Sequence, residues 1–539
     1  MKLLIPVDHL LRRAPTYLTN NTNMKLSLPV QGQHFRLLIV GGGASGMGAS
    51  HKFARKLPKK SVALVEPNEL HYYQPGFTLV GGGYMPLKAN TRKNKDLLHY
   101  YQPGFTLVGG GYMPLKANTR KNKDLVHPNN VWIKDRVEKF EPKKNSVTLR
   151  SGDEITYDYL IICTGCQLRF DMIKGLPEAL ETPGVCSNYS PFHCEKTFKE
   201  LSTVTYDGYA SCPLIVGRRL GILAEFNSKG PMETLPIDQS TPRVNYGNLK
   251  LCLTDFPGNP ENSGVVMSGN CVFTFPNTPI KCAGAPQKVL YYGHDIVRDR
   301  GYRNSTNFIY ATSLQRLFGV EAYLKSLNKI AAEKGIDVRT RHSLIEVDTK
   351  HKIAKFELLD ENSKPNGKFD EIPYSLLHIG PPCSAPPAIR NCKELVDENG
   401  WVDVDHETLR SKHFSNIFAA GDCMNTPNAK TAAAVSSHLK TIEKNLGAVI
   451  EGKEPPAKYD GYASCPLIVG RRLGILAEFN SKGPMETLPI DQSTPRYYAF
   501  LMKRYLMPFL YWNFLVKGYW NGPATIRKIL HLGFVPKSK

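Results

Sequence analysis

The residue of this chain best equipped for chemistry is a cysteine set between lysines. Lys281-Cys282-Ala283-Gly284-Ala285-Pro286-Gln287-Lys288 reads as the opening of a helix. A thiol at a helix N-terminus flanked by ammonium groups loses its proton easily, so Cys282 is expected to be largely thiolate, a nucleophile or redox sulfur. The bland alternative is a small buried hydrophobe, the usual fate of free cysteine. A second constellation binds rather than reacts. The apolar strand ending in Leu37-Leu38-Ile39-Val40 runs directly into Gly41-Gly42-Gly43-Ala44-Ser45-Gly46. Gly41 permits the tight turn, Gly43 lets backbone approach a pyrophosphate, and Gly46 lets the following helix pack on the strand, with Ala44 and Ser45 opening that helix. Glu66 closes the next strand, 20 residues after Gly46, where a carboxylate can take both ribose hydroxyls.

Two later segments specify the dinucleotide. The strand Tyr159–Ile162 ends in Cys163-Thr164-Gly165, a turn that lets backbone approach a bound cofactor. Far downstream, Ile417–Ala420 ends in Gly421-Asp422, whose carboxylate can hydrogen-bond a ribityl chain, and Thr431 then starts a helix whose positive end can stabilise an anionic reduced flavin. The order of these signals resembles that of the flavin disulfide reductases. The resemblance implies an α/β fold with two Rossmann-like dinucleotide-binding domains and FAD as cofactor, with Gln74 and Lys430 among its contacts. A second glycine fingerprint, which would hold NADH, is missing. The strand Val272–Phe275 is followed instead by Pro276-Asn277-Thr278-Pro279-Ile280-Lys281-Cys282, so the electron donor is not expected to be NADH.

A second cysteine enters through a closer resemblance. Tyr459-Asp460-Gly461-Tyr462-Ala463-Ser464-Cys465-Pro466-Leu467, the Cys282 segment, His71-Tyr72-Tyr73-Gln74-Pro75-Gly76 and Pro508-Phe509-Leu510-Tyr511-Trp512 resemble segments of the eukaryotic sulfide:quinone oxidoreductases. The likeness runs from about Phe35 to Phe534, with the duplicated stretches set aside. It implies that Cys282 and Cys465 form a bridge near the flavin. Hydrosulfide would open that bridge to a persulfide, on Cys465 or, with the roles reversed, on Cys282. The sulfane sulfur would pass to a small acceptor such as sulfite or glutathione, and the electrons to ubiquinone. The rival readings are a type II NADH:quinone reductase and a flavoprotein without turnover. Cys163 and Cys166 form a CxxC, but without the following helix of a thioredoxin-like site. Cys423 is expected to pack, and His71 and His378 read as satisfied structural histidines.

The remaining sequence bears on location. The 539 residues carry 69 Lys and Arg against 48 Asp and Glu, a formal charge of +21. Such an excess suits an anionic membrane face or anionic substrates such as hydrosulfide and sulfite. It comes with no nucleic-acid motif, and among the 12 cysteines there is no pair of metal-spaced CxxC knuckles, so neither nucleic acid nor metal is expected. Residues 1–33 are basic, hydroxyl-rich and poor in acids, as in a mitochondrial presequence, with a disordered tail as the alternative. Tyr497–Phe534 is dense in aromatics, interrupted by Lys503, Arg504, Lys517, Arg527 and Lys528. That pattern reads as amphipathic helices lying on the inner-membrane surface, with Phe509, Tyr511, Trp512 and Phe514 as candidates for lining the quinone entrance.

Two exact duplications complicate the layout. Leu70–Leu97 recurs as Leu98–Leu125, and Tyr206–Arg243 recurs as Tyr459–Arg496, so Cys212 sits in the same local peptide as Cys465. Two isolated copies of different length do not make a solenoid. Perfect identity in different surroundings points to a fault in the assembled sequence, with a recent duplication as the alternative. Cys465 is preferred over Cys212 because its copy runs into the C-terminal aromatic segment. The expected layout is a leader over 1–33 and FAD-binding segments over 34–185 and 386–458. An irregular insertion over 186–268, a second Rossmann-like domain over 269–385 and the redox and membrane segment over 459–539 complete it.

Overall fold

The computed structural model describes residues 30–76, 119–202, 210–215, 220–227, 230–238, 269–427 and 429–533, with only the backbone described over 210–238. The leader expected over 1–33, except 30–33, and the irregular stretch 244–268 lie outside the described residues, as do the side chain of Cys212 and residues 77–118 of the tandem copies.

The first sheet grows from the most apolar strand of the chain. β1 (His34–Val40) is fully buried at Leu37, Leu38 and Ile39, because neighbours cover both of its faces. It leads into α1 (Ala44–Ala54), and then come β2 (Val62–Val65), β3 (Val131–Ile133), β4 (Val137–Glu141), β5 (Ser146–Leu149) and β6 (Glu154–Ile162). The order across the sheet is β3-β2-β1-β6-β5-β4. β1 lies parallel to both β2 and β6, so the glycine turn and the turn after β6 emerge at the same edge.

The chain then leaves through β7 (Gln167–Leu168) and β8 (Val185–Cys186) to build a second, wholly parallel sheet. Its other strands are β9 (Gly269–Phe275), β10 (Thr306–Thr312), β11 (Ile336–Arg339) and β12 (Leu376–His378), in the order β8-β12-β9-β10-β11. Between β9 and β10 runs α2 (Ala285–Asp299), the crossover that a parallel pair requires. β13 (Cys383–Ser384) pairs back onto β7, and β14 (Ile417–Ala419) rejoins the first sheet beside β6. α3 (Ala432–Ile450) packs against α1. The parallel run β3-β2-β1-β6-β14 of the first sheet, the wholly parallel second sheet and their crossover helices are the Rossmann-like α/β fold.

The elements fall close to their sequence expectations, with one correction. The helix after β9 begins at Ala285, so Cys282 lies in the turn before it rather than in its first turn.

The duplicated segments behave instructively. From the tandem pair, the head of the first copy, Leu70–Tyr72, pairs antiparallel with the tail of the second, Thr119–Lys121. Together they place one head and one tail of the repeated unit. From the dispersed pair, Ala210–Ile215, Leu220–Asn227 and Gly230–Asp238 form one antiparallel meander, while β15 (Ala463–Gly470), β16 (Leu473–Asn480) and β17 (Gly483–Met485) form another. The register is the same in both: Cys212 faces Ala224 as Cys465 faces Ala477. The β15–β17 meander packs on α2, whereas the 210–238 sheet forms no ladder with another sheet among the described residues.

Excising residues 206–243 should therefore leave the circular dichroism spectrum per residue and the thermal midpoint close to those of the full chain. Excising 459–496 should remove the cooperative transition. A collapse of folding in the first variant would show that the upstream meander is integral to the fold.

Candidate active site

Both sheets and the C-terminal segment close around one cavity of about 540 Å³. On one side lies the glycine turn. Gly41 has a φ of 101°, and a Cβ there would sit 2.5 Å from the carbonyl oxygen of Cys163, so no other residue fits without moving the β6 turn. Gly46 lies beneath it, where a Cβ would collide with the Gly41 carbonyl. Gly43, Ala44, Ser45, Thr164 and Gly165 line the cavity, and a Cβ on Gly43 or Gly165 would project into open space. No side chain caps α1, and its first turn has no acid. Its amides are therefore left for an anionic ligand.

Glu66 also lines the cavity, but with most of its capacity used. Gly42 N–H donates to Oε2 at 2.6 Å, and the Asn68 backbone and side-chain N–H groups donate to Oε1 at 2.8 and 2.6 Å. A carboxylate offers about four lone pairs, so one ribose hydroxyl fits at Oε2 rather than the two expected from the motif. Asp422 forms part of the opposite wall, and burial pushes its carboxyl above the usual range. Thr431 caps α3 by accepting from Ala434 N–H at 3.3 Å. Lys430 donates to the carbonyls of Asp422 and Met424 and lies 4.1 Å over the Trp401 ring, so it secures the Gly421-Asp422 turn. Gln74 accepts from Lys281 Nζ at 3.0 Å. A glycine turn, open helix amides, an acid after β2 and a glycine-aspartate turn around one cavity fit a dinucleotide cofactor.

Deeper in the cavity two cysteines meet. Cys282 sits at a φ of 54°, the left-handed region that non-glycine residues rarely occupy. Three segments hold it there: its N–H donates to Lys430 O, Tyr189 Oη donates to its carbonyl at 3.3 Å, and Ala285 N–H donates to the same carbonyl. Cys465 arrives from β15. At Gly284 a Cβ would lie 2.8 Å from the Cys465 sulfur, so the glycine is what allows the turn to approach that strand. The two sulfurs are in hydrogen-bonding contact, with the Cys465 thiol donating to Cys282.

Lys288, six residues beyond Cys282 in the first turn of α2 and only 1% exposed, places its Nζ 3.5 Å from Cys282 Sγ and 3.6 Å from Cys465 Sγ. The hydrogen bond from Cys465 holds Cys282 well below the usual thiol range against the effect of burial, with Lys288 and Lys503 assisting. The same hydrogen bond and burial drive Cys465 well above it. Burial works against the Lys288 ammonium, yet the charge of the adjacent sulfurs outweighs it and raises its pKa. Lys503 fares differently. Burial and then repulsion from Lys288 bring its pKa down to about 7, and its Nζ donates to Pro75 O.

The C-terminal segment runs helically from Tyr497 to Leu515, with π-helical turns at Met502–Leu506 and Tyr511–Leu515. Such turns each add a residue and swing side chains onto another face. Lys503 and Tyr511 lie in them, and both line the cavity. Lys503, expected as a basic edge at the membrane, is therefore a buried wall residue. His71 accompanies Tyr511: burial lowers its pKa to about 4, so the ring is neutral. A carbonyl only accepts, so Nδ1–H donates to Gly42 O at 3.0 Å and Nε2 accepts the Tyr511 hydroxyl at 2.7 Å.

The four aromatics expected at a quinone entrance separate. Tyr511 lines the cavity, while Trp512 is buried against His71 and under Arg120. Phe509 and Phe514 pack edge to face on the exposed side. Tyr505, Tyr519 and Ile529 of the same C-terminal stretch are also exposed. No described helix is long and apolar enough to cross a membrane. Cys166 does not act with Cys163, for its sulfur contacts Cys383 instead. Cys423 is fully buried, and His378 is stacked on Phe273 and bonded to Asn188. Among the described residues, no cluster of His, Cys and acids is arranged for a metal.

Residues 35–203 match the family described as pyridine nucleotide-disulphide oxidoreductase. The mitochondrial sulfide:quinone oxidoreductase of Mus musculus is 38% identical over 93% of this chain and 90% of its own length. The corresponding protein of Dictyostelium discoideum is 31% identical over 91% and 88%. Among solved structures, the sulfide:quinone oxidoreductase of Aquifex aeolicus superposes with a TM-score of 0.62 over 93% of this chain and 95% of that one, at 16% identity, a likeness of fold.

In the reduced protein, alkylation of Cys282 by iodoacetamide should keep its rate well below pH 9, the ordinary thiol value, and Lys288→Met should shift the break upward. Peptide mapping against pH checks this, and a break at the ordinary value in the parent protein would refute the thiolate. Lys503 gives a second test. Unfolded, it holds its proton up to 10.5, whereas folded it releases it near 7. Between those values the unfolded chain binds the extra proton, so stability rises with pH. The gain in thermal midpoint of Lys503→Met over the parent should shrink on going from slightly acidic to alkaline buffer.

Proposed function

The chain belongs to the mitochondrial sulfide:quinone oxidoreductase family, and from that membership we propose that it oxidises hydrogen sulfide at Cys282 and Cys465 and passes the electrons by way of FAD to ubiquinone. The observation that carries the reading is one buried ammonium, Lys288, within 3.6 Å of both sulfurs.

In the oxidised state the two sulfurs form a disulfide. Hydrosulfide attacks the Cys465 sulfur, the bond between the cysteines breaks, and Cys282 leaves as a thiolate while Cys465 keeps a persulfide. Exchange of this kind is fastest when the departing thiol has the lower pKa. Cys282 is that thiol, and Lys288 stabilises the charge as it develops. The neutral-range amine of Lys503 can give or take a proton at the same place. A small nucleophile, sulfite or a thiol such as glutathione, then takes the outer sulfur from Cys465. FAD, when bound, accepts the electron pair from the cysteine site and delivers it to the quinone.

Gly41, Gly43, Ala44, Ser45, Gly46, Glu66, Thr164, Gly165, Asp422 and Thr431 would form the cofactor cradle, with Gln74 and Lys430 fixing its walls. Tyr511 would face the quinone, with Phe509 and Phe514 on the membrane-facing rim. The exposed apolar side chains of the C-terminal segment and the formal charge of +21 support association with an anionic membrane surface. The family's mitochondrial members support the inner membrane of that organelle as the location.

Cys282→Ser and Cys465→Ser should each lower sulfide-dependent bleaching of the flavin on the order of a hundredfold or more, with bound flavin retained in the absorbance spectrum. NADH should not bleach the parent protein. Full bleaching by sulfide in Cys282→Ser, or rapid bleaching by NADH, would overturn the reading.

A further inference from the structure

A second pair of cysteines stands on the same cavity and takes no part in the chemistry above. β7 follows the turn Cys163-Thr164-Gly165-Cys166, and β13 follows the last strand of the second sheet. The two strands are antiparallel, with Leu168 opposite Cys383 and Gln167 opposite Ser384, and Arg169 N–H extends the ladder to Pro382 O at 2.8 Å. Cys166 stands two residues before Leu168, immediately outside the ladder and diagonal to Cys383. Their sulfurs are in hydrogen-bonding contact.

The two thiols are not equivalent. Cys166 lines the cavity and is half-buried, whereas Cys383 is 4% exposed. Cys166 donates to Cys383, and the backbone N–H of Lys281 also donates to the Cys383 sulfur. That hydrogen bond from Cys166 holds Cys383 below the usual thiol range against burial, while the same bond and burial raise Cys166. Cys186, Cys194 and Cys271 provide a contrast, each buried and pushed up by burial alone or chiefly by it. The Cys166–Cys383 contact thus joins an accessible sulfur to a buried partner poised to take its proton, the arrangement of an oxidisable dithiol.

We propose that Cys166 and Cys383 are a second redox-active pair, closed to a disulfide by exchange with small-molecule disulfides such as oxidised glutathione. The proton of Cys166 moves along the existing hydrogen bond to Cys383. The Cys166 thiolate attacks one sulfur of the small disulfide, whose bond breaks to release one thiolate and leave a mixed disulfide on Cys166. Cys383 then attacks the Cys166 sulfur and expels the second small thiolate. The one proton the pair shared ends on one released thiol, the other released thiolate takes its proton from water, and the pair has lost two electrons to the reagent. The bond joins the turn that carries Thr164 and Gly165 to the end of the second parallel sheet. It staples the two Rossmann-like units at the cavity wall, across a long stretch of intervening chain.

The pair would behave this way whatever the substrate of the Cys282–Cys465 site, so its test is read by mass rather than by turnover. The purified, flavin-loaded full-length protein is reduced, freed of reductant, incubated with oxidised glutathione, quenched by alkylation and digested. A linked peptide containing Cys166 and Cys383 is expected, together with a thermal midpoint above that of the reduced protein. Cys383→Ser should trap a glutathione adduct on Cys166, whereas Cys166→Ser should leave Cys383 unmodified. Formation of the Cys282–Cys465 link in the same sample shows that the reagent has reached the cavity. Its presence without any Cys166–Cys383 link would overturn the proposal.

Discussion

One buried ammonium must satisfy two sulfurs at once, and much of the surrounding structure follows from that requirement. A charge removed from water is tolerated only where partners replace the solvent. For Lys288 those partners are Cys282 and Cys465, brought from elements 183 positions apart in sequence. The approach needs a strained Cys282 backbone, a glycine at 284 and a β-strand pressed on the first turn of α2. The cost of the strain is local, and the interactions that offset it come from Lys430, Tyr189 and Ala285. A second amine in the same cavity cannot share the arrangement. Lys503 is buried beside Lys288 and is held close to neutrality as a result.

The legible part of this protein was the part written in local pattern. The strand-glycine-helix run at Leu37–Gly46, the acid at Glu66 and the turn at Gly421-Asp422 each announce themselves through spacing, and the parallel sheet sets them around one cavity. Cys282 was marked by its lysines, although only Lys288 of the two reaches the sulfur. Lys503 was misread because a lysine among aromatics looks the same from sequence whether it faces water or a cavity. The π-helical turn that rotates it inward has no sequence signature. The contact of Cys166 with Cys383 was hidden for another reason: it depends on a two-residue strand pairing between distant segments, too short to leave a periodic trace.

The dispersed copies separate what a sequence decides alone from what its neighbours decide. Both meanders adopt the same hairpin register, so turn chemistry and alternation suffice for that much. They differ in the third strand, nine residues in the first and three in the second. In the second copy Glu478 is buried and takes hydrogen bonds from Tyr462, Thr487 and Gln492, with Arg527 of the C-terminal helix beside it. Those contacts draw the chain after Met485 away from the ladder. Identical residues thus yield an identical turn and a different strand, and the difference is tertiary.

The short pairing of Leu70–Tyr72 with Thr119–Lys121 has a practical consequence. It fixes both ends of whatever lies between them, through His71 against Tyr511 and Asn122 against Asn68. The entropy of closing a loop between fixed ends grows only slowly with its length. The junction is therefore a natural splice point, where an affinity handle or fluorescent reporter could replace residues 77–118 while the anchors on either side stay in register.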